Sequence, residues 1–158
     1  MSIDKEILKL LDSWNIIYET KTHEKATTCM ESAKARGSEL KIGAKTLLFK
    51  DKWDFRLFVI SAEKDVDNKK VRKILKSDKL RFASIKELRE LAGVEKGSLP
   101  PLGQSLYPFK TFVDVSLTQN ELMTFNAGIP TFSVIMKVQD YLLHVKPEIV
   151  DFSKEITG

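Results

Sequence analysis

The chain has 158 residues, a formal charge of +4, 42% apolar and 30% charged residues. That fits one soluble domain of the usual ~100–200 residues with a core of its own. No stretch approaches the ~18 consecutive apolar residues of a membrane helix, and one cysteine (Cys29) with two histidines excludes an internal disulfide and a Cys/His zinc centre.

Ile3, Ile7, Leu10, Leu11 and Trp14 recur at helical spacing behind Ser2 as N-cap, and the acids within this stretch exclude a secretory signal. "IIYET" (16–20) reads as a strand. Thr28 with Glu31 forms a capping box before a short helix, "CMESAKAR", that Gly37 would stop. "AKTLLFK" and "FRLFVIS", separated by "DKWD", read as paired strands with at least one buried face. Between Lys64 and Arg81 eight bases face three acids, so this segment carries +5 and the remainder −1. Its Val71, Ile74 and Leu75 share one helical face. A concentrated positive patch suits a polyanion, although a solvated helix face is the plainer reading.

"LRFAS" reads as a short strand, and Ser84 with Glu87 as a second capping box for a helix ended by Gly93. "TFVDVSL", "LMTFNAG" and "TFSVIMKV" read as three further strands, and "DYLLHV" as a last helix. The pattern predicts an α/β (α+β) single domain over residues 1–158, with a mixed, strongly curved sheet of about six to seven strands flanked by helices.

Two phosphate-binding motifs fail. "GAKT" (43–46) has Ala44 where a P-loop requires glycine before the lysine, and no Rossmann glycine pattern occurs. Cys29 beside a helix start, with His23 as base, is a nucleophile candidate against the commoner structural cysteine; His144 reads as a packing or surface residue. Lys45 opens an apolar strand run, where an ammonium needs an anionic or polar partner or must snorkel to water. In "VEKGSLPPLGQS" (94–105), Pro100 and Pro101 stiffen the chain while Gly97 and Gly103 allow positive φ and close backbone approach. Such a loop can offer the N–H groups of Gly97 and Ser98 to a carbonyl or phosphate oxygen, or be an ordinary turn.

Taken together, "HEKATTCMESAKARG", "GAKTLLFK", "GSLPPLG", "FVD" and "FNAGIPTFSVIM" followed by "DY" resemble the YbaK/prolyl-tRNA-synthetase-associated editing domain family, over roughly residues 16–145. The chain looks like a freestanding member. The resemblance implies hydrolysis of the ester joining a wrong amino acid to tRNA, without metal or organic cofactor, with the vicinal ribose hydroxyl helping to activate water. It places the essential lysine on Lys45, the catalytic loop on Gly97 and Ser98, and substrate contacts on His23, Thr46, Leu99, Pro100, Pro101, Gly103, Asn126, Gly128, Phe132 and Ser133. The paired prolines would wall the amino-acid pocket.

Many relatives carry a basic residue and Thr-His-Ser after "FNAG", where this chain has Ile129, Pro130, Thr131, Phe132 and Ser133. Phe132 in place of a polar ring suggests a fuller pocket for a small side chain, alanine or cysteine on a proline tRNA, with serine and threonine open. Lys69, Lys70, Arg72, Lys73 and Lys76 are the candidate tRNA contacts. The expected partners are the acceptor end of a mischarged tRNA and, as a second candidate, an aminoacyl-tRNA synthetase. The chain is expected to act as a monomer in the cytoplasm, with no membrane partner. The competing functions are a non-catalytic tRNA- or nucleotide-binding module and, less favoured, Schiff-base chemistry on Lys45.

Overall fold

A computed structural model describes residues 2–25, 29–36 and 39–156. Helix α1 (Ile3–Ser13) buries Ile7 and Leu11 completely. Ser2 holds the N-cap position through its backbone alone, without a side-chain bond. The next elements are β1 (Tyr18–Thr22), α2 (Cys29–Arg36), β2 (Ala44–Lys50) and β3 (Phe55–Ser61). Expected Thr28 and Gly37 boundaries of α2, and the Cys29 thiol, lie outside the described residues.

The basic segment forms strand β4 (Lys64–Val66) and helix α3 (Asn68–Leu75), whose N-cap Asp67 accepts from the N–H groups of Lys69 and Lys70. Strand β5 (Arg81–Phe82) leads into α4 (Ile85–Ala92), where Ser84 and Glu87 form the expected capping box and Gly93 closes the helix at φ +69°. Strand β6 (Lys110–Asp114) is shorter than the alternation of "TFVDVSL" suggests. Asp114 accepts from the N–H of Ser116 and turns the chain into the helical turn α5 (Val115–Thr118). Strands β7 (Leu122–Asn126) and β8 (Phe132–Lys137) precede α6 (Val138–Val145). Two strands without a sequence signal follow, β9 (Glu148–Val150) and β10 (Ser153–Glu155).

The mixed α/β class holds, with the described strands distributed over three sheets. A five-stranded sheet runs β5-β2-β3-β6-β9; β3, β6 and β9 are parallel, and β2 is antiparallel to both its neighbours. A three-stranded antiparallel sheet runs β1-β8-β7, and β4 pairs with β10. An isolated bridge, Gly43 to Thr124, joins the two larger sheets.

Period-2 alternation explains why β2, β3 and β6 are apolar on both faces. Leu48, Leu57, Val59 and Val113 point into one core, shared with α1, α6 and the three-stranded sheet. Phe49, Phe58, Ile60 and Phe112 point into a second, closed by Val71 and Leu75 of α3 and by Phe152. Among the described residues no helix is long and apolar enough to cross a membrane.

Candidate active site

Strand β5 pairs with β2 only at Phe49 and Lys50, so the first half of β2 is left with an open edge. That edge, the start of α4 and the loop after Gly93 enclose a cavity of about 600 Å³. Lys45, Thr46 and Leu48 line it from β2; Phe82, Ile85 and Leu88 from β5 and α4; Lys96, Gly97 and Leu99 from the loop; and Asn126 from β7. The glycine loop and the Lys45 strand thus share one concavity.

The Lys45 ammonium donates to the carbonyl of Lys64 at 3.0 Å and lies 3.5 Å from Asp65 Oδ1, with its side chain 23% exposed. These partners satisfy the charge demand that the sequence raised; Lys45 lines the cavity, while Lys64 and Asp65 do not. Thr46 Oγ1 is buried and has no hydrogen-bond partner among the described residues. A buried hydroxyl left without a partner costs ~1–3 kcal/mol, and Thr46 is one of the residues that line the cavity. The same strand offers backbone groups as well. Leu48 O accepts from Ala83 N across the β5 edge, so ladder alternation turns the N–H and C=O of Thr46 toward that side too.

Gly97 adopts φ +86°, and its N–H meets no acceptor among the described residues. Its carbonyl accepts from Asn126 Nδ2 at 3.1 Å. Ser133 Oγ donates to Asn126 Oδ1 at 3.1 Å, and His23 Nε2 lies 2.7 Å from Ser133 Oγ. His23 Nδ1 donates to the carbonyl of Glu24 at 2.8 Å. His23 and Ser133 therefore stand behind Asn126 as supports of the loop, while Asn126 itself reaches the cavity.

Several other expected site residues lie outside the cavity wall. The Ser98 N–H closes a turn on the Glu95 carbonyl at 3.1 Å, and Ser98 is fully buried, so it is not a free donor. Pro100 and Pro101 are buried beneath the loop and do not line the cavity. Pro101 accepts a hydrogen bond from the Tyr141 hydroxyl through its carbonyl, so the pair braces the loop from behind, and Leu99 supplies the wall. Gly103, at φ +55°, and Gly128, at φ +82°, serve packing: a Cβ would come within 2.4 Å of Thr111 Oγ1 at the first and 2.6 Å of Ile3 Cγ2 at the second. Phe132 packs on the core formed with α1, outside the cavity wall, which removes the ground for expecting a filled pocket.

None of Lys69, Lys70, Arg72, Lys73 and Lys76 lines the cavity, and Lys70 pairs with Asp151 at 3.3 Å and donates to Ser153 O at 2.8 Å. His144 stacks on Trp14, with ring centroids 4.8 Å apart. Sequence reasoning passed over Phe82, Ile85, Leu88 and Lys96. Only Lys96, adjacent to Gly97, carried a readable signal; the others needed the sheet edge to be known.

The chain is 30% identical over 156 residues to the multifunctional Ser/Thr-tRNA deacylase ProXp-y of Escherichia coli (strain K12), covering 95% of this chain and 92% of that one. In fold it is similar to the crystal structure of a proposed trans-editing enzyme for prolyl tRNA synthetase, with a TM-score of 0.83, 21% identity and 98% of each chain covered. It is similar too to hypothetical protein APE2540, with a TM-score of 0.82, 17% identity, and 94% of this chain and 99% of that one covered. Residues 23–143 match the model of the aminoacyl-tRNA editing domain, and the chain belongs to that family, one of hydrolases acting on aminoacyl-tRNA.

Proposed function

We propose that the 158 residues act as one trans-editing domain that hydrolyses the ester of a mischarged tRNA carrying a small hydroxyl-bearing amino acid, serine or threonine. The observation that carries this reading is the convergence of Lys45, the unpartnered Thr46 hydroxyl and the Gly97 loop on one cavity. The name of the relative in Escherichia coli supports the choice of serine and threonine over alanine or cysteine.

In this reading the terminal adenosine and its aminoacyl group enter the cavity between Ile85 and the loop. The Gly97 N–H donates to the ester carbonyl oxygen, where charge accumulates as water attacks the carbonyl carbon. Lys45, retaining its bond to Lys64 O, spends another N–H on the nucleotide or carbonyl and adds positive potential. Thr46 Oγ1 bonds the hydroxyl of the substrate side chain. The vicinal ribose hydroxyl assists deprotonation of the water. The tetrahedral intermediate then expels the ribose oxygen, which takes up a proton, releasing free amino acid and intact tRNA.

The test is deacylation of a panel of Ser-, Thr-, Ala- and Cys-charged tRNAs, the last two on a proline tRNA as well. Faster loss of serine and threonine is expected. Hydrolysis of the alanyl ester alone would remove the hydroxyl-recognition role of Thr46. No hydrolysis of any ester, with tRNA still bound, would make the chain a binding module.

A further inference from the structure

Strand β5 separates the cavity from a second concavity. Arg81 lines an open groove of about 570 Å³, while Phe82, its neighbour, lines the cavity. The groove is also bordered by Lys50, Lys52, Asp78 and Lys79, with buried Asp51 at its base. Two of its charges are already committed. Asp51 holds Arg56 at 3.1 Å, and Arg81 makes a bidentate pair with Glu87 at 2.7 and 3.0 Å. Lys50, Lys52 and Lys79 remain, and none is in an ion pair among the described residues. They outnumber the exposed Asp78.

The groove is built rather than accidental. Lys52 N donates to Ser77 Oγ at 3.2 Å, and Ser77 Oγ donates to Lys79 O at 2.7 Å, which fixes the β2–β3 turn against the segment before β5. Two exposed aromatic rings, neither in the groove lining, follow groove residues in the chain: Phe82 after Arg81 and Trp53 after Lys52. Phe82 stacks on Phe49 at 4.5 Å yet is 54% exposed at the cavity mouth. Trp53, beneath the Lys52 ammonium at 4.5 Å, is 59% exposed at the tip of the turn. From Lys45 to Lys50 the strand spans about 17 Å, room for a few nucleotides between the reacting end and the outer lysines.

A cationic track with aromatic rings open to solvent is what single-stranded nucleic acid requires, since every base has a π face and every nucleotide a phosphate. We propose that this groove binds the unpaired 3′ tract of RNA leading into the cavity: one base stacks on Phe82, phosphates pass Lys79, Lys50 and Lys52, and Trp53 meets a base at the outer end. The inference rests on the cavity being the aminoacyl-ester site and assigns the path by which the strand reaches it.

The experiment uses uncharged tetranucleotide RNA of sequence ACCA. With Trp14→Phe, Trp53 becomes the sole tryptophan, and saturable quenching of its emission is expected. Anisotropy of 5′-labelled ACCA on the unaltered chain should give the same isotherm. The log affinity should fall with log salt at a slope of about −1.4 to −2.1, for two or three phosphates at ~0.7 each. Phe82→Ala should weaken binding roughly tenfold, and Lys50→Glu with Lys79→Glu should weaken it further and flatten the slope. The proposal is overturned by absence of binding, by equal affinity for blunt duplex RNA, by an unchanged slope in the double variant, or by Trp53 emission that follows protein concentration rather than RNA. No ester enters this assay, so a chain that deacylates but gives a blank titration loses the groove alone, and one that binds ACCA without deacylating loses only the enzymatic reading.

Discussion

Asn126 Nδ2 donates to the Gly97 carbonyl at 3.1 Å, tying the tip of the glycine loop to a strand of the other sheet. The amide is oriented in turn by Ser133 Oγ at 3.1 Å. A loop whose donor must sit within a few tenths of an ångström of an ester oxygen gains from such a tether, because small misplacement costs up to ~10² in rate. Asn126→Leu should lower kcat about ten- to a hundredfold, with a stability loss of about 1–3 kcal/mol from the unmet carbonyl. Single-turnover deacylation and urea unfolding measure the two separately, and an unaltered kcat would free Asn126 of any part in loop placement.

Lys45 lines the cavity, and its ammonium is anchored by Lys64 O at 3.0 Å. Lys45→Ala should reduce kcat about 10²–10³-fold, the usual loss when one preorganised donor is removed. The side chain is not part of either buried core, so the thermal transition should move little. Near-normal turnover in a folded Lys45→Ala chain would dismiss the assigned role.

Much of this was legible from sequence because local rules and tertiary packing agreed. The Ser84–Glu87 box, the Gly93 stop and the paired runs of β2 and β3 each follow from neighbours in the chain. What stayed hidden depends on partners far away in sequence. Strands β4 and β10 exist because Lys64–Val66 meets Ser153–Glu155, and neither has an alternation of its own. Pro100 and Pro101 announce a stiff loop but not which way it faces, and Tyr141 decides that from the other end of the chain. Phe82 lines the cavity only because β5 ends after two residues and leaves the β2 edge open. Lys45, Thr46, Gly97, Leu99 and Asn126, which the motif combination had grouped, line one cavity, while the contact of His23 and Ser133 with Asn126 is visible only in their hydrogen bonds.

Thr46→Val keeps shape and removes the hydroxyl. In the free protein Thr46 Oγ1 is buried without a partner among the described residues, so its loss should leave stability unchanged or raise it by up to about 1 kcal/mol. Deacylation of seryl and threonyl esters should fall at least tenfold while alanyl hydrolysis changes little, since sites that hydrogen-bond a substrate hydroxyl discriminate strongly. Equal losses on all three esters would assign Thr46 to wall shape instead.

Asp51 organises the β2–β3 turn by accepting from the N–H groups of Trp53 and Asp54 at 2.7 and 2.8 Å. Burial pushes its carboxyl upward, but those backbone bonds and the Arg56 guanidinium outweigh burial and hold it below the ordinary value. A folded pKa below the unfolded one contributes stability that is present above the unfolded value, ~3.9, and is lost as pH falls through the folded value. Asp51→Asn should therefore lower Tm at pH 7, and the gap to the unaltered chain should close below about pH 4. A gap independent of pH would mean that charge at Asp51 contributes nothing.

Gly103 shows how a glycine beside the Gly97 loop can matter through packing alone. At φ +55°, a Cβ there would lie 2.4 Å from Thr111 Oγ1 and 3.3 Å from Val145 Cγ1. Thr111 cannot yield freely, because it is buried and its hydroxyl donates to the Phe109 carbonyl. Gly103→Ala should cost about 2–4 kcal/mol, combining backbone strain with overpacking, and lower Tm by roughly 5–15 °C. Gly103 is not in the cavity wall, so well below the new transition the folded molecules should keep most of their kcat. A large fall in kcat with Tm intact would reverse this assignment and return Gly103 to the substrate side of the loop.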